Sequence, residues 1–419
     1  MRTIIVGGGV VGVTTAYYLA KEGHDVTVID KAQSVGTDAT AVNAGLIAPA
    51  HCFAWASPAA PKMLLKSLLG EKTAIRVKPS LNPRFLWWGM QFMRECTTER
   101  AKANTLAKLG LSVYSQELLY KLEAEENIDY DGIKQGLVYT YRDEEEMKLG
   151  IIKAKLLSDA GQEIRSITSA ELATLDPAFG SSSIEFAGAI YAPNDASGNS
   201  EKFSINLMER CKAMGVNFLF GVEAKKFTEK SGKITSVVTN QGDMEADNFV
   251  LAMGVMSPFM SRTVGQDLPI YPAKGFSVTI DITNSDAAPT IGGVDEKTLV
   301  AWSRFDNRLR ISSTAQFSGY DRSHTRSDFD NIVDTASSLW PDAADWSKPN
   351  MTAGLRPMTP DGTPIIGKGD KHSNLFYNTG HGHMGWTMSC GSSMVLTDIM
   401  HGRTPAVPTE PFKVRSIRK

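Results

Sequence analysis

The sequence predicts an α/β protein: a Rossmann-type dinucleotide-binding domain built from discontinuous segments, plus an α+β substrate domain with a mixed β-sheet. Three observations carry this. A glycine-rich turn links a strand to a helix within the first thirty residues, a second strand, glycine turn and helix lie near the C-terminus, and many short strands separated by turns run between them.

In the opening passage, Thr3 to Val6 is a short apolar, β-branched run. Gly7-Gly8-Gly9-Val10-Val11-Gly12 follows, then an apolar helical stretch from Val13 to Lys21 and a strand from Val26 to Ile29 that ends at Asp30. This is the order and size of one βαβ unit. Gly7 permits the tight turn, Gly9 lets the backbone approach a pyrophosphate, and Gly12 lets helix and strand pack closely. The helix N-terminus offers unpaired N–H groups and a partial positive charge to phosphates. Asp30 stands where an acid hydrogen-bonds a ribose 2′-hydroxyl.

From Ser57 to Arg100 the chain is rich in Pro, Trp, Phe and Met, and Ala101 to Glu126 reads as helix. Phe203 to Met214 is an amphipathic helix. Strands follow at Val216 to Val222, Lys233 to Thr239 and Asp247 to Leu251, closing at Gly254. Ser277 to Ile282, Leu299 to Trp302 and Leu309 to Ser312 suggest a separate mixed sheet. The expected division is residues 1–56, 195–262 and 345–419 for the dinucleotide domain, and 57–194 and 263–344 for the substrate domain.

The C-terminal third holds two dense motifs, Gly354 to Gly367 and Asn378 to Gly391. In the second, a strand from Leu375 to Tyr377 runs into glycines, and a helix starts near Gly385 or Trp386 and ends near His401. Backbone N–H groups and a helix dipole at such a turn suit a site where negative charge accumulates, as on the pyrimidine end of a reduced flavin. A glycine loop turning a corner is the plainer alternative.

Arg356 lies between Leu355 and Pro357, an apolar frame in which a solvated charge is out of place. Its planar fork could grip a carboxylate, or form a buried ion pair with Asp361. His381 and His383, two residues apart, match neither one helical face nor a metal pair; each could stand near a flavin or be a satisfied turn histidine. Lys274, before Gly275 at a strand start, could face the cofactor, although such lysines are more often solvated.

Charged residues are 21% of the 419 and the net charge is −2, so no global field attracts nucleic acid. Cys52, Cys96, Cys211 and Cys390 show no metal-ligand spacing and read as reduced thiols, and no metal is expected. Strand beginning at Arg2 leaves no room for a signal peptide, and no apolar run reaches 18 residues, so a cytoplasmic protein is expected. Pro83 to Arg94, with aromatics, Met and flanking arginines, and the basic amphipathic Pro61 to Leu69 could dock on the inner face of the membrane or lead to a quinone. Burial against the substrate domain is the alternative.

Together these residues resemble the FAD-dependent D-amino acid dehydrogenases of bacteria, within the glycine oxidase and D-amino acid oxidase superfamily. The likeness runs nearly end to end, through the glycine loop, Ala41 to Gly45, Cys96 to Arg100, Pro193 to Asp195, Tyr271 to Gly275, Gly354 to Gly362 and Asn378 to Gly391. It implies that Val6, Gly7, Gly9, Val10, Val11, Gly12, Asp30 and Lys31 bind the ADP moiety, with Val222 on the adenine side and Gly254 nearby. Asn43, Ala44, Gly45 and Leu46 would lie along the isoalloxazine, and Gly380, Gly382, His383, Met384, Gly385, Trp386 and Thr387 would cover its pyrimidine end.

Arg356 would hold the substrate carboxylate, with His381 and Lys274 as further catalytic candidates. No cysteine stands beside Arg356, which implies non-covalent FAD. The implied reaction moves the α-hydrogen of a D-amino acid to the flavin as hydride, gives a 2-oxo acid and ammonia, and passes electrons to a quinone-type acceptor. Phe276, where the family often has Tyr, and the absence of a tyrosine between Asp295 and Trp302 leave substrate choice open. The rivals are a dehydrogenase of cyclic or N-alkylated D-imino acids such as hydroxy-D-proline, a dioxygen-using oxidase, a non-catalytic flavoprotein and a plain NAD-binding module.

Overall fold

The computed structural model describes residues 1–68 and 75–417. Strand β1 (Arg2–Val6), helix α1 (Val10–Lys21) and strand β2 (Asp25–Asp30) form the opening unit. They seed a six-stranded sheet in the order Ile365–Lys368, Leu375–Thr379, Asn248–Leu251, β1, β2, Asn217–Phe220. Its strands run parallel except the edge strand Ile365–Lys368. The apolar, β-branched run in β1 fits a central parallel strand, covered on both faces.

Helix α1 is apolar on nearly every side because it is enclosed between the sheet, the Ser200–Ala213 helix and the C-terminal helix Gly385–Met400. Small residues let these helices close. Thr14 and Thr15 share the Ser393 hydroxyl across the contact at 2.8 and 3.0 Å. A β-carbon on Gly391 would stand 2.8 Å from Ser115 of helix α4 (Thr98–Glu126), so that glycine admits α4.

The second body is a nine-stranded mixed sheet, ordered Asn350–Met358, Tyr271–Asp281, Arg308–Phe317, Val300–Phe305, Gly292–Asp295, Leu137–Tyr141, Gly188–Ala192, Arg165–Ile167, with Ile75–Val77 on the Arg308–Phe317 strand. A separate three-stranded antiparallel sheet spans 224–245.

Two features depart from the expected division. The Asn350–Met358 strand, assigned from sequence to the dinucleotide domain, pairs along its whole length with Tyr271–Asp281 in the large sheet. Helix α4, assigned to the substrate domain, buries Leu109, Leu111, Leu119 and Leu122 in the core that surrounds α1. Each fully buried leucine contributes on the order of 2 kcal/mol, enough to fix the helix there. Helix α4 also starts earlier than Ala101, because Thr97 caps it by accepting from the Arg100 amide.

Helices α2 (Ala60–Leu68) and α3 (Pro83–Glu95) occupy the aromatic-rich passage. Leu69, the end of the expected basic stretch, lies outside the described residues. On α3, Trp88 and Phe92 are buried against Tyr271 and Phe317, while Leu86, Trp87, Met90 and Met93 stay exposed. The expected burial against the substrate domain is therefore found on one face of the helix, and the other face is exposed. No helix among the described residues is long and apolar enough to cross a membrane.

Candidate active site

The glycine turn after β1 opens onto one cavity of about 1360 Å³ that continues across the large sheet. Gly7 takes a positive φ of 114°, and a β-carbon there would stand 2.5 Å from the Ala252 carbonyl oxygen. One on Gly12 would stand 1.9 Å from the Gly7 carbonyl oxygen. The third glycine therefore holds the helix against the turn and does not face the cavity.

Val6, Gly7, Gly9, Val10, Val11, Asp30, Lys31, Val222 and Gly254 line this end. The amide of Val10 is satisfied by Thr40 Oγ1 at 3.1 Å, a contact absent from the sequence reading. Asp30 accepts the Gly8 amide at 2.7 Å and the Ala32 amide at 2.8 Å, one on each oxygen. Each oxygen keeps a lone pair for a hydroxyl.

Further along, the cavity is lined by Asn43, Ala44 and Leu46 and by Gly380, His381, Gly382, His383, Met384, Gly385, Trp386 and Thr387, the two groups being joined where the Thr387 hydroxyl donates to the Leu46 carbonyl at 3.2 Å. Gly45 does not line the cavity. At φ 78° it lets Ser303 and Phe305 pack where a side chain would be, which fixes the wall from behind. The C-terminal helix begins at Gly385 with no side-chain cap, so its first amides are free to meet a ligand. His381 Nε2, Trp386 Nε1 and Asn378 Oδ1 are buried without partners among the described residues, and all three residues line the cavity. Such groups are costly unless a polar ligand satisfies them.

Burial pushes the His381 imidazole down to about 3. Burial, then the charges of Lys108, Arg356 and His51, hold His383 well below the ordinary range. Both rings are neutral near pH 7. His383 also stacks on Trp55 with centroids 4.8 Å apart.

Arg356 Nη1 donates to the Thr314 carbonyl at 2.6 Å. Asp361 is bound instead by Arg415 at 2.7 Å, so the expected alternative ion pair does not form. Arg356 has no acidic partner among the described residues, and burial brings its guanidinium down to about 10. It remains a cation facing a cavity, the state that binds an anion.

Lys274 is not at the site. Its Nζ donates to the Ser323 carbonyl at 2.8 Å and lies 3.5 Å from Asp321, neither of which lines the cavity. Successive residues of a strand face opposite ways. Gly275 faces the cavity, so Lys274 and Phe276 face away, and Phe276 packs in the core against Phe329.

The sequence reading also missed a pair at the far end. His51 Nε2 and Glu296 Oε1 are 2.8 Å apart, and both residues line the cavity. Burial opposes the Glu296 charge, but the charge and hydrogen bond of His51, with Lys153, hold its carboxyl below the usual range. No sequence signal links residues 245 positions apart.

A Rossmann cleft continuous with a cavity across a mixed sheet, with an arginine on its wall that has no acidic partner among the described residues, is the site of a protein that holds a dinucleotide cofactor beside an anionic ligand. The chain belongs to the DAO family of FAD dependent oxidoreductases, whose family model matches residues 2–399. It is 40% identical over 408 residues to D-amino acid dehydrogenase 2 of Mesorhizobium japonicum (97% of this chain, 98% of the relative). It is 36% identical over 408 residues to the D-amino acid dehydrogenase of Chromohalobacter salexigens (97% of each chain). The crystal structure of glycine oxidase from Geobacillus kaustophilus shares the fold, with TM-score 0.75 and 22% identity over 99% of this chain and 98% of that one. The glycine cradle, the free helix N-terminus and the orphaned polar atoms fit FAD.

Proposed function

We propose that the protein oxidises D-amino acids to 2-oxo acids and ammonia, with FAD bound non-covalently and a quinone-type acceptor taking the electrons. The observation that carries this reading is Arg356, a buried cation without a counter-ion in the cavity that holds the cofactor-fitting residues. FAD supplies the acceptor for the α-hydrogen. Arg356 fixes the substrate carboxylate, and the neutral His381 and His383 add no further cation, which leaves the substrate amine in the neutral form that hydride transfer requires. Orienting the Cα–H bond supplies most of the catalysis, so no dedicated acid–base residue is needed. The D configuration follows the relatives named above.

The outer face of α3 supports a peripheral contact with an anionic membrane, where a quinone would be met. Leu86, Trp87, Met90 and Met93 are 40–49% exposed there, and Lys62 and Arg94 are exposed nearby. Co-sedimentation with anionic vesicles, lost in a Leu86→Ser/Met90→Ser variant, tests that placement.

Steady-state turnover of a panel of D- and L-amino acids with a soluble quinone, compared with air alone, tests the reaction. The expected result is 2-oxo acid from D-amino acids with the quinone and little in air. Turnover in air as fast as with quinone would indicate an oxidase.

A further inference from the structure

We infer that Glu296, held by His51, is a specificity-determining contact that selects substrates bearing a side-chain hydroxyl. The inference rests on the reading of Arg356 as the anchor of the α-carboxylate.

Both members of the pair are immobilised. Glu296 opens the turn between the Gly292–Asp295 and Val300–Phe305 strands, and its amide donates to the Thr140 carbonyl at 3.0 Å. The buried Asp295 beside it accepts Arg142 Nε and Nη2 at 2.9 Å each and the Thr298 amide at 2.9 Å, which locks the turn. The His51 ring stacks on Tyr139, centroids 4.8 Å apart and planes within 11°, and the Tyr139 hydroxyl donates to Asp195 at 2.7 Å. His51 occupies one oxygen of Glu296, and Oε2 takes no hydrogen bond among the described residues.

Sheet register also relates the pair to Arg356. Val294, Ala301 and Ser312 sit in register on three neighbouring strands and all line the cavity, giving a floor of small side chains. Thr314, whose carbonyl receives Arg356, is two residues beyond Ser312, and Glu296 is two beyond Val294. Roughly 10 Å of sheet separates those outer strands. Arg356 and Glu296 thus stand at opposite ends of that floor.

Charge then chooses the class of ligand. Lys153 lines the same cavity, has no carboxylate partner among the described residues and helps keep Glu296 ionised. A cationic side chain would meet Lys153, and an anionic one would meet Glu296. A hydroxyl donates to the free oxygen and leaves the local charge unchanged. The substrates that fit are hydroxylated D-amino acids or ring-hydroxylated cyclic imino acids.

The test compares kcat/KM within matched pairs: D-serine with D-alanine, D-threonine with D-2-aminobutyrate, and 4-hydroxy-D-proline with D-proline. Wild type is expected to favour the hydroxylated member of at least one pair by about tenfold or more, chiefly through KM, as for a hydrogen bond to a charged acceptor. Glu296→Ala should bring that ratio close to one, and the isosteric Glu296→Gln should lower it. General structural damage lowers both members alike and leaves the ratio in place. Equal rates within every wild-type pair, a ratio untouched by both variants, or a preference for D-arginine or D-lysine would overturn the inference. Absence of turnover with every compound would overturn the parent reading and this one with it.

Discussion

The guanidinium of Arg356 lies flat against Gly275, where a β-carbon would stand 2.6 Å from its Cζ and Nη2 atoms. The glycine is the seat of the anchor. Gly275→Ala must displace Arg356, so it should raise KM for amino acids as Arg356→Ala does, while the flavin stays bound. Losing a hydrogen-bonded charge is worth about 2–3 kcal/mol, roughly 30- to 150-fold in kcat/KM. Steady-state kinetics with the flavin content measured in parallel checks both variants, and an unchanged KM in Arg356→Ala would remove the anchor from the account.

Gly12→Ala places a methyl 1.9 Å from the Gly7 carbonyl oxygen, a backbone atom that cannot yield cheaply. The protein should lose FAD and several degrees of thermal stability. Gly89 is the control: on helix α3 a β-carbon meets nothing within 4 Å, so Gly89→Ala should match or slightly exceed wild-type stability. Flavin-to-protein absorbance ratios and melting curves of the two variants separate these outcomes.

His381 links stability to pH. Its ring takes a proton near pH 6.5 when unfolded, but near 3 when folded. Protons therefore favour the unfolded chain through that window, and the stability is complete above about pH 6.5 and lost as pH falls toward 3. The slope from this one residue is at most about 1.4 kcal/mol per pH unit. Denaturation midpoints between pH 4 and 7.5 should fall less steeply for His381→Asn than for wild type; superimposable acid limbs would contradict the burial argument.

Phe276→Tyr addresses a position that the family pattern had marked for substrate choice. The side chain faces the core and is 1% exposed. A hydroxyl there meets no solvent, so the variant should lose on the order of 1–3 kcal/mol of stability. Relative rates across a substrate panel should stay as in wild type, and a reordered panel would show that the residue reaches the site.

What could be read from the sequence divides by distance along the chain. The opening βαβ unit and the strand, turn and helix ending near His401 are local, with most of their glycines dictated by a backbone angle or a contact nearby, and both emerge with bounds within three residues, the first helix beginning at Val10 and not Val13. Arg356 was legible because a cation between Leu355 and Pro357 is anomalous wherever it lies. Lys274 was misplaced because alternation along a strand shows which residues share a face, not which face meets the cavity. The His51–Glu296 pair and the packing of α4 on the C-terminal helix arise from long-range closure, for which a single sequence carries no mark.

Anaerobic mixing of the purified, flavin-loaded protein with D-amino acids and their L enantiomers tests the central claim most directly. The expected result is rapid bleaching of the flavin absorbance by D-amino or D-imino acids, slow or absent with the L forms, and strongly weakened in Arg356→Ala. A flavin that stays oxidised with every D substrate, or bleaches equally well in Arg356→Ala, would contradict it.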